Sequence, residues 1–260
     1  MGEKQKNAKK ISSFRLWLSR IITIISLGVF IYAAYNLGDI LIDYYKNRQL
    51  MDEMQGLYYE ADDEGTPEGS IRPGFEPLLE LNEDVVGWIT IDGTRIDYPI
   101  LQAEDNFHYL TRNFYHEESR AGSIYLDYRN DIRLENEKNV VLYGHRMRDG
   151  SMFENLTKYL DKEFFDTHRT IQFDTLYESY EGEIFAVYHT LTSFNYIQTA
   201  FDNNEEFGEL LDEIYATTLH TTDVEVTEDD MILTLSTCDY KLDPEEGRLV
   251  VQAKLTKKEL

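Results

Sequence analysis

The chain has 260 residues, 25 Lys and Arg against 49 Asp and Glu, a net charge of −24 and a single cysteine. That length holds one domain of ordinary size with an appendage, and 42% hydrophobic and 13% aromatic residues are enough to build a core. So negative a chain is a poor nucleic-acid binder, because phosphate affinity comes from Lys and Arg displacing counterions. One cysteine excludes an intrachain disulfide and any Cys-rich zinc site.

The charge is unevenly spread. Residues 1–20 carry Lys4, Lys6, Lys9, Lys10, Arg15 and Arg20 against Glu3, a net of +5, which leaves −29 for the rest. Residues 21–38, IITIISLGVFIYAAYNLG, contain no formal charge. As a helix they would span about 27 Å, close to the hydrocarbon thickness of about 30 Å. Trp17 on one flank and Tyr32 and Tyr35 on the other suit the headgroup regions, and the basic stub should stay cytoplasmic. A cleaved signal peptide is the alternative, but Ala34 has Tyr32 two residues before it, so no small-x-small cleavage site follows. The reading is a cytoplasmic stub (1–20), a plasma-membrane signal anchor (21–38) and an exported remainder.

Residues 39–59 have helical spacing, and 60–77, rich in Asp, Glu, Gly and Pro, read as an exposed connector; together they make an extension over 39–79. From about residue 80 the texture is β-branched and aromatic. Strands are expected at 86–91, 96–101, 122–127, 139–144, 170–174, 183–190, 231–237 and 249–255, a pattern for a β-barrel or sandwich. A helix is expected at 201–217, with Phe207, Leu210, Leu211 and Ile214 as its apolar stripe, and a shorter one at 152–165.

Cys238 ends an apolar strand, where a thiol can face a groove; a buried, inert cysteine is equally compatible with that position. A nucleophilic thiol needs a neighbour to generate its thiolate. Of six histidines, His145 stands out, in YGHRMRDGSMF just past the strand at 139–143. The others, His108, His116, His168, His189 and His220, read as packing or solvent-facing. Arg248 opens the strand after the cysteine, and a hairpin would bring it beside the thiol as a donor to a developing oxyanion. Its alternative is a surface ion pair with Glu245 or Glu246.

TLSTC (234–238), Arg248 and YGHRM (143–147) together resemble the sortases, cysteine transpeptidases of Gram-positive surfaces. GWITIDGTRIDYPILQAEDNFHYL (87–110), GSIYLDYRN (122–130) and GHRMRDGSMF (144–153) are similar to class B, and the likeness covers roughly residues 80–256. It implies an eight-stranded barrel over 80–260 with an N-terminal helical extension and a helix inserted before the catalytic strand. It also implies Cys238 as nucleophile, His145 as general acid and Arg248 as oxyanion or carbonyl donor. Thr192, Tyr196, Ile197, Asn106, Leu110 and Ser236 are the substrate-groove candidates, with plain core packing as the alternative for Leu110 and Ile197. Asp239 is expected to face solvent. No cofactor is implied, and no loop has EF-hand spacing, so no metal is expected.

The implied partners are secreted proteins with C-terminal sorting signals, cleaved after Thr, and an acceptor amine on a peptidoglycan precursor. A pilin lysine as acceptor, hydrolysis by an exported thiol protease, and a non-enzymatic interaction module with an inert thiol are the alternatives.

Overall fold

A computed structural model describes residues 2–60, 67 and 69–258, with side chains from residue 15 onward. Its first element, α1 (Gly2–Tyr59), is one uninterrupted helix by backbone. The chain divides into two compact units, Met1–Lys46 and Asn47–Leu260. In the first, Ile24, Phe30 and Tyr35 are exposed along a helix long and apolar enough to cross a membrane.

In the second unit the end of α1 carries its own anchoring chemistry. Met54 and Tyr58 are buried there. The Tyr58 ring lies flat on Trp88, with 4.3 Å between centroids, and its hydroxyl donates to Asp174 Oδ2 at 2.9 Å. Tyr59 and the Trp88 indole both donate to Asp97 Oδ1, at 2.8 and 2.7 Å.

Of the connector expected at 60–77, residues 61–66 and 68 lie outside the described residues. Its end departs from the expectation. Pro73–Phe75 form a 3-10 turn that runs into α2 (Glu76–Leu81), Phe75 is fully buried, and Arg72 pairs with Asp174 at 2.8 Å. The prolines that read as loop breakers occupy first-turn positions, where a helix needs no N–H from them.

Eight strands follow: β1 (Val85–Thr90), β2 (Asp97–Leu101), β3 (Ile124–Leu126), β4 (Asn139–Tyr143), β5 (Thr170–Thr175), β6 (Ser179–Leu191), β7 (Met231–Cys238) and β8 (Gly247–Lys257). They close into a barrel in the order β1-β2-β3-β4-β7-β8-β6-β5. The pairs β2–β3 and β4–β7 are parallel and the others antiparallel.

Strand β6 begins four residues earlier than its pattern suggested. Ser179-Tyr-Glu-Gly lacks β-branched residues, yet neighbours on both sides bond it, Asp174 facing Ser179 and Lys257 facing Tyr180. The helix expected at 152–165 is two pieces, a 3-10 segment Phe153–Leu160 and α3 (Lys162–Thr167). The break falls at Asp161, whose carboxylate caps α3 by accepting from Phe164 N at 3.0 Å. Helix α4 (Asn204–Thr217) starts after Asn203, which caps it in the same way through Glu206 N. Its stripe of Phe207, Leu210, Leu211 and Ile214 packs into a core cluster with Phe185, Tyr188 and Val250.

The stacked Tyr58 makes the end of α1 part of the barrel's stability. Tyr58→Ala should cost about 3 kcal/mol and Tyr58→Phe about 1 kcal/mol, the second isolating the hydrogen bond to Asp174. Urea unfolding followed by tryptophan fluorescence measures both; an alanine variant as stable as the parent would place the stack outside the cooperative unit.

Candidate active site

Strand β7 organises the site because it is paired on both sides. Along β8, Cys238 is directly opposite Arg248. Along β4 the parallel register runs to Tyr143 opposite Ser236, and Gly144 N donates onward to Ser236 O at 3.3 Å. His145 follows two residues past the end of β4, in the loop that leaves this side of β7. Cys238 and Arg248 are thus register partners at one end of β7 and β8, and the His145 loop leaves the end of β4, the strand on the other side of β7.

Tight approaches hold this end closed. A side chain at Gly144 would place its Cβ 2.4 Å from Ile124 Cδ1 and within 2.9 Å of the Phe153 ring. At Gly247 a Cβ would lie 2.0 Å from the Asp239 carbonyl oxygen. Only glycine lets the His145 loop and the β7–β8 connection pack this closely.

Cys238 is a free thiol, half-buried at its strand end. The Nε2 of His145 is 2.7 Å from the Leu110 carbonyl, which only accepts, so Nε2 carries a proton and Nδ1 is the nitrogen left for exchange. Arg248 donates through Nη1 to the carbonyls of Glu245 and Gly247, at 3.0 and 2.8 Å. It makes no ion pair with the Glu245 or Glu246 carboxylate, and its Nε and Nη2 have no partner among the described residues.

The groove candidates separate in kind. Tyr196 and Ser236 are buried and joined hydroxyl to hydroxyl at 2.9 Å. Thr192 is exposed, and its N–H donates to Glu246 O at 3.2 Å, tying its loop to the β7–β8 connection. Ile197, partly buried, packs its side chain against the core cluster. Asn106 donates to Asp127 Oδ2 at 2.9 Å and accepts from Tyr128 N at 3.0 Å. Leu110 contributes a backbone carbonyl rather than an isolated apolar contact.

Asp239 corrects an expectation, since it is buried rather than solvent-facing. It accepts from Arg146 Nη1 at 3.0 Å and contacts His189 Nδ1, while Arg146 Nε also donates to Glu154 at 2.8 Å. The residue after His145 is thus clasped to the residue after Cys238. His189, expected to pack or face solvent, is buried against this clasp. Sequence reading also passed over Tyr125. Burial pushes the Tyr125 hydroxyl up, with Cys238 adding to the shift and Arg248 opposing it, so this phenol lies in the field of the thiol–guanidinium pair. Its β-strand context carries no catalytic signature, and only the register across β3, β4 and β7 brings it near. Among the described residues no three His, Cys, Asp or Glu side chains converge as metal ligands would.

Residues 89–256 match the Sortase domain family. Sortase B of Listeria monocytogenes is 43% identical over 249 residues, 96% of this chain and all of that protein. Sortase B of Staphylococcus aureus is 42% identical over 187 residues, 72% of this chain and 76% of the relative. Among solved structures, Bacillus anthracis sortase B in complex with AAEK2 is 49% identical with a TM-score of 0.77, covering 83% of this chain and 98% of that one. A Staphylococcus aureus sortase B–substrate complex aligns with the same TM-score at 36% identity, covering 84% of this chain and all of that one. With a family match over most of its length and sortase B relatives along nearly all of it, the chain belongs to the sortase family of transpeptidases and within it to the sortase B group.

Proposed function

We propose that the chain is a membrane-anchored transpeptidase in which Cys238 attacks the carbonyl of a Thr in a C-terminal sorting signal. The observation that supports this most is the register that sets Cys238 opposite Arg248, with the His145 loop leaving the neighbouring strand β4 on the other side of β7. Arg248 Nε and Nη2 are the donors left to meet the tetrahedral oxyanion. His145, with Nε2 committed to the Leu110 carbonyl, gives a proton from Nδ1 to the departing amine. The C–N bond breaks, a thioester to Cys238 remains, and an amine on a peptidoglycan precursor attacks it. That amine returns its proton to His145 and frees the thiolate. Of the groove candidates, Thr192 is exposed to meet the signal directly, while Tyr196, Ser236 and Ile197 would shape its seat from beneath, and Asn106 and Leu110 would act from the loop between β2 and β3.

The apolar stretch 21–38 serves as the plasma-membrane anchor, with residues 1–20 cytoplasmic and the barrel outside. Tethering there confines the enzyme with sorting signals held by their own hydrophobic tails and with lipid-linked wall precursors, raising the effective concentration of both.

The Arg146–Asp239 clasp is a device for holding imidazole and thiol at working distance, and His189 adds a pH dependence to it. Burial lowers the His189 pKa from its ordinary 6.5, outweighing the pull of Asp239, so the neutral ring is the folded form. An unfolded chain then takes up the proton first as pH falls. The stability this group contributes is complete above about pH 6.5 and is lost progressively below it.

Three measurements follow from this chemistry. Mixing the enzyme with a sorting peptide and an oligoglycine amine, and weighing the products by mass spectrometry, should give a thioester adduct and a joined product. Cys238→Ala should abolish both, a fall of at least about a thousandfold; wild-type cleavage by the alanine variant would remove Cys238 as nucleophile, and cleavage without joining would make the enzyme a hydrolase. Arg146→Gln and Asp239→Asn should each slow single-turnover acylation by about tenfold, and the double variant should be no slower than either. Additive losses would dissolve the clasp into two unrelated effects. In thermal melts from pH 7 to pH 5, His189→Gln should show a smaller fall in Tm than the parent; parallel curves would exclude His189 as the titrating group.

A further inference from the structure

Asp127, just past the end of β3, is completely shut off from solvent. A carboxylate in such a place is tolerated only if its lone pairs are met. Here five donors meet them. Arg129 supplies its own N–H at 3.0 Å and Nε at 2.8 Å to Oδ1, and its Nη2 at 2.8 Å to Oδ2. Asn106 and the Tyr143 hydroxyl complete Oδ2 at 2.9 and 2.8 Å. Burial raises the Asp127 pKa, but these hydrogen bonds outweigh it and hold the carboxyl below its ordinary range, so it is ionised.

The donors come from three walls of the groove. Asn106 belongs to the loop between β2 and β3, Tyr143 ends β4 two residues before His145, and Arg129 reaches across to the loop between β6 and α4. There its Nη2 donates to the Ile197 carbonyl at 2.9 Å. The carbonyls on either side are held as well, Tyr196 O at 3.0 Å and Gln198 O at 2.9 Å, both by Asn139 Nδ2. Asn139 is itself fixed from below, accepting from Thr234 Oγ1 at 2.6 Å, which accepts from Gln252. Three successive carbonyls of one loop are therefore captured by two side chains, Asn139 on β4 and Arg129 in the loop between β3 and β4. Fixing three peptide planes fixes where the Tyr196 and Ile197 side chains leave the backbone.

We propose that Asp127 and Arg129 are positioning residues for substrate selectivity: the pair sets the 196–198 backbone, and through it the pocket that reads the residues preceding the scissile Thr. The proposal rests on the transpeptidase reading above and names what tunes it. Arg129 touches none of the reacting atoms. Its planar fork grips both carboxylate oxygens while the same Nη2 reaches Ile197 O, a geometry that a lysine ammonium cannot reproduce. With its side chain 36% exposed at the rim, Arg129 can be changed without opening the core, whereas Asn139 and Asp127 are fully buried.

The test uses Arg129→Gln and Arg129→Lys in the full chain. For a library of sorting peptides varied before the Thr, the KM of the preferred peptide should rise about tenfold while kcat stays within about twofold, and the preference over the runner-up peptide should shrink. Arg129→Lys should fall between the parent and Arg129→Gln. Alkylation of Cys238 by iodoacetamide, which needs no groove, should keep its parental rate, and amide exchange over residues 192–200 should quicken with little change in Tm. Unchanged KM and unchanged exchange would overturn the proposal. So would a fall in kcat matched by slower alkylation, which would mean general damage to the site. A parent chain that turns over no sorting peptide would defeat the transpeptidase reading and the selectivity role with it, while the exchange measurement would still read whether Arg129 holds the loop.

Discussion

Everything chemical in this molecule depends on one strand being paired twice. Strand β7 runs parallel to β4 and antiparallel to β8, and those two registers bring together residues separated by nearly a hundred positions in the chain. The hydrogen-bond ladders set the strands about 5 Å apart, which is the scale on which a thiol, an imidazole and a guanidinium can act on one carbonyl. The rest of the structure protects that spacing. Gly144 and Gly247 allow close approach, and the Arg146–Asp239 pair fastens the two loops just beyond the ladder.

A second tier of polar contacts ties the loop after β6 to the barrel. Asp127 gathers Asn106, Tyr143 and Arg129, while a buried chain from Tyr188 through Gln252 and Thr234 to Asn139 links the barrel interior to the loop after β6. Buried polar groups of this kind are costly unless every member is satisfied, and satisfied networks specify one arrangement of the chain. The loop after β6 has few backbone hydrogen bonds of its own, so side chains from other strands determine its course.

Much of this was legible in the sequence, and the reasons are local. The strands around Trp88, Val141 and Leu235 announce themselves by β-branched and aromatic runs, and TLSTC with Arg248 and YGHRM carries the family likeness. The start of strand β6 is hidden in the sequence because Glu181 and Gly182 have poor strand preference, and tertiary pairing on both sides overrides it. Phe75 and Arg72 were read as connector because Pro and Gly mark both turns and first helical turns, and only the contact with Asp174 distinguishes them. Asp239 was read as exposed because an acid in an acidic loop is commonly so. Its partners, Arg146 and His189, lie 93 and 50 positions away, beyond any local pattern. Position along a chain reveals propensity, but the partner of a buried charge is a property of the fold.

The closure of the barrel has a further consequence. Among the described residues each of its eight strands has a strand partner on both sides, so the sheet has no edge strand to offer an incoming peptide along its length. Many proteins that grip extended peptides let them join a sheet as one more strand, with the main chain supplying affinity regardless of sequence. That route is closed here. A chain lying at the barrel's rim would instead meet side chains and loop carbonyls, groups that differ from one residue to the next. Recognition then falls on the identity of a few substrate residues rather than on the shared polypeptide backbone. The same pairing of every strand gives a second copy of the barrel no edge strand on which to stack.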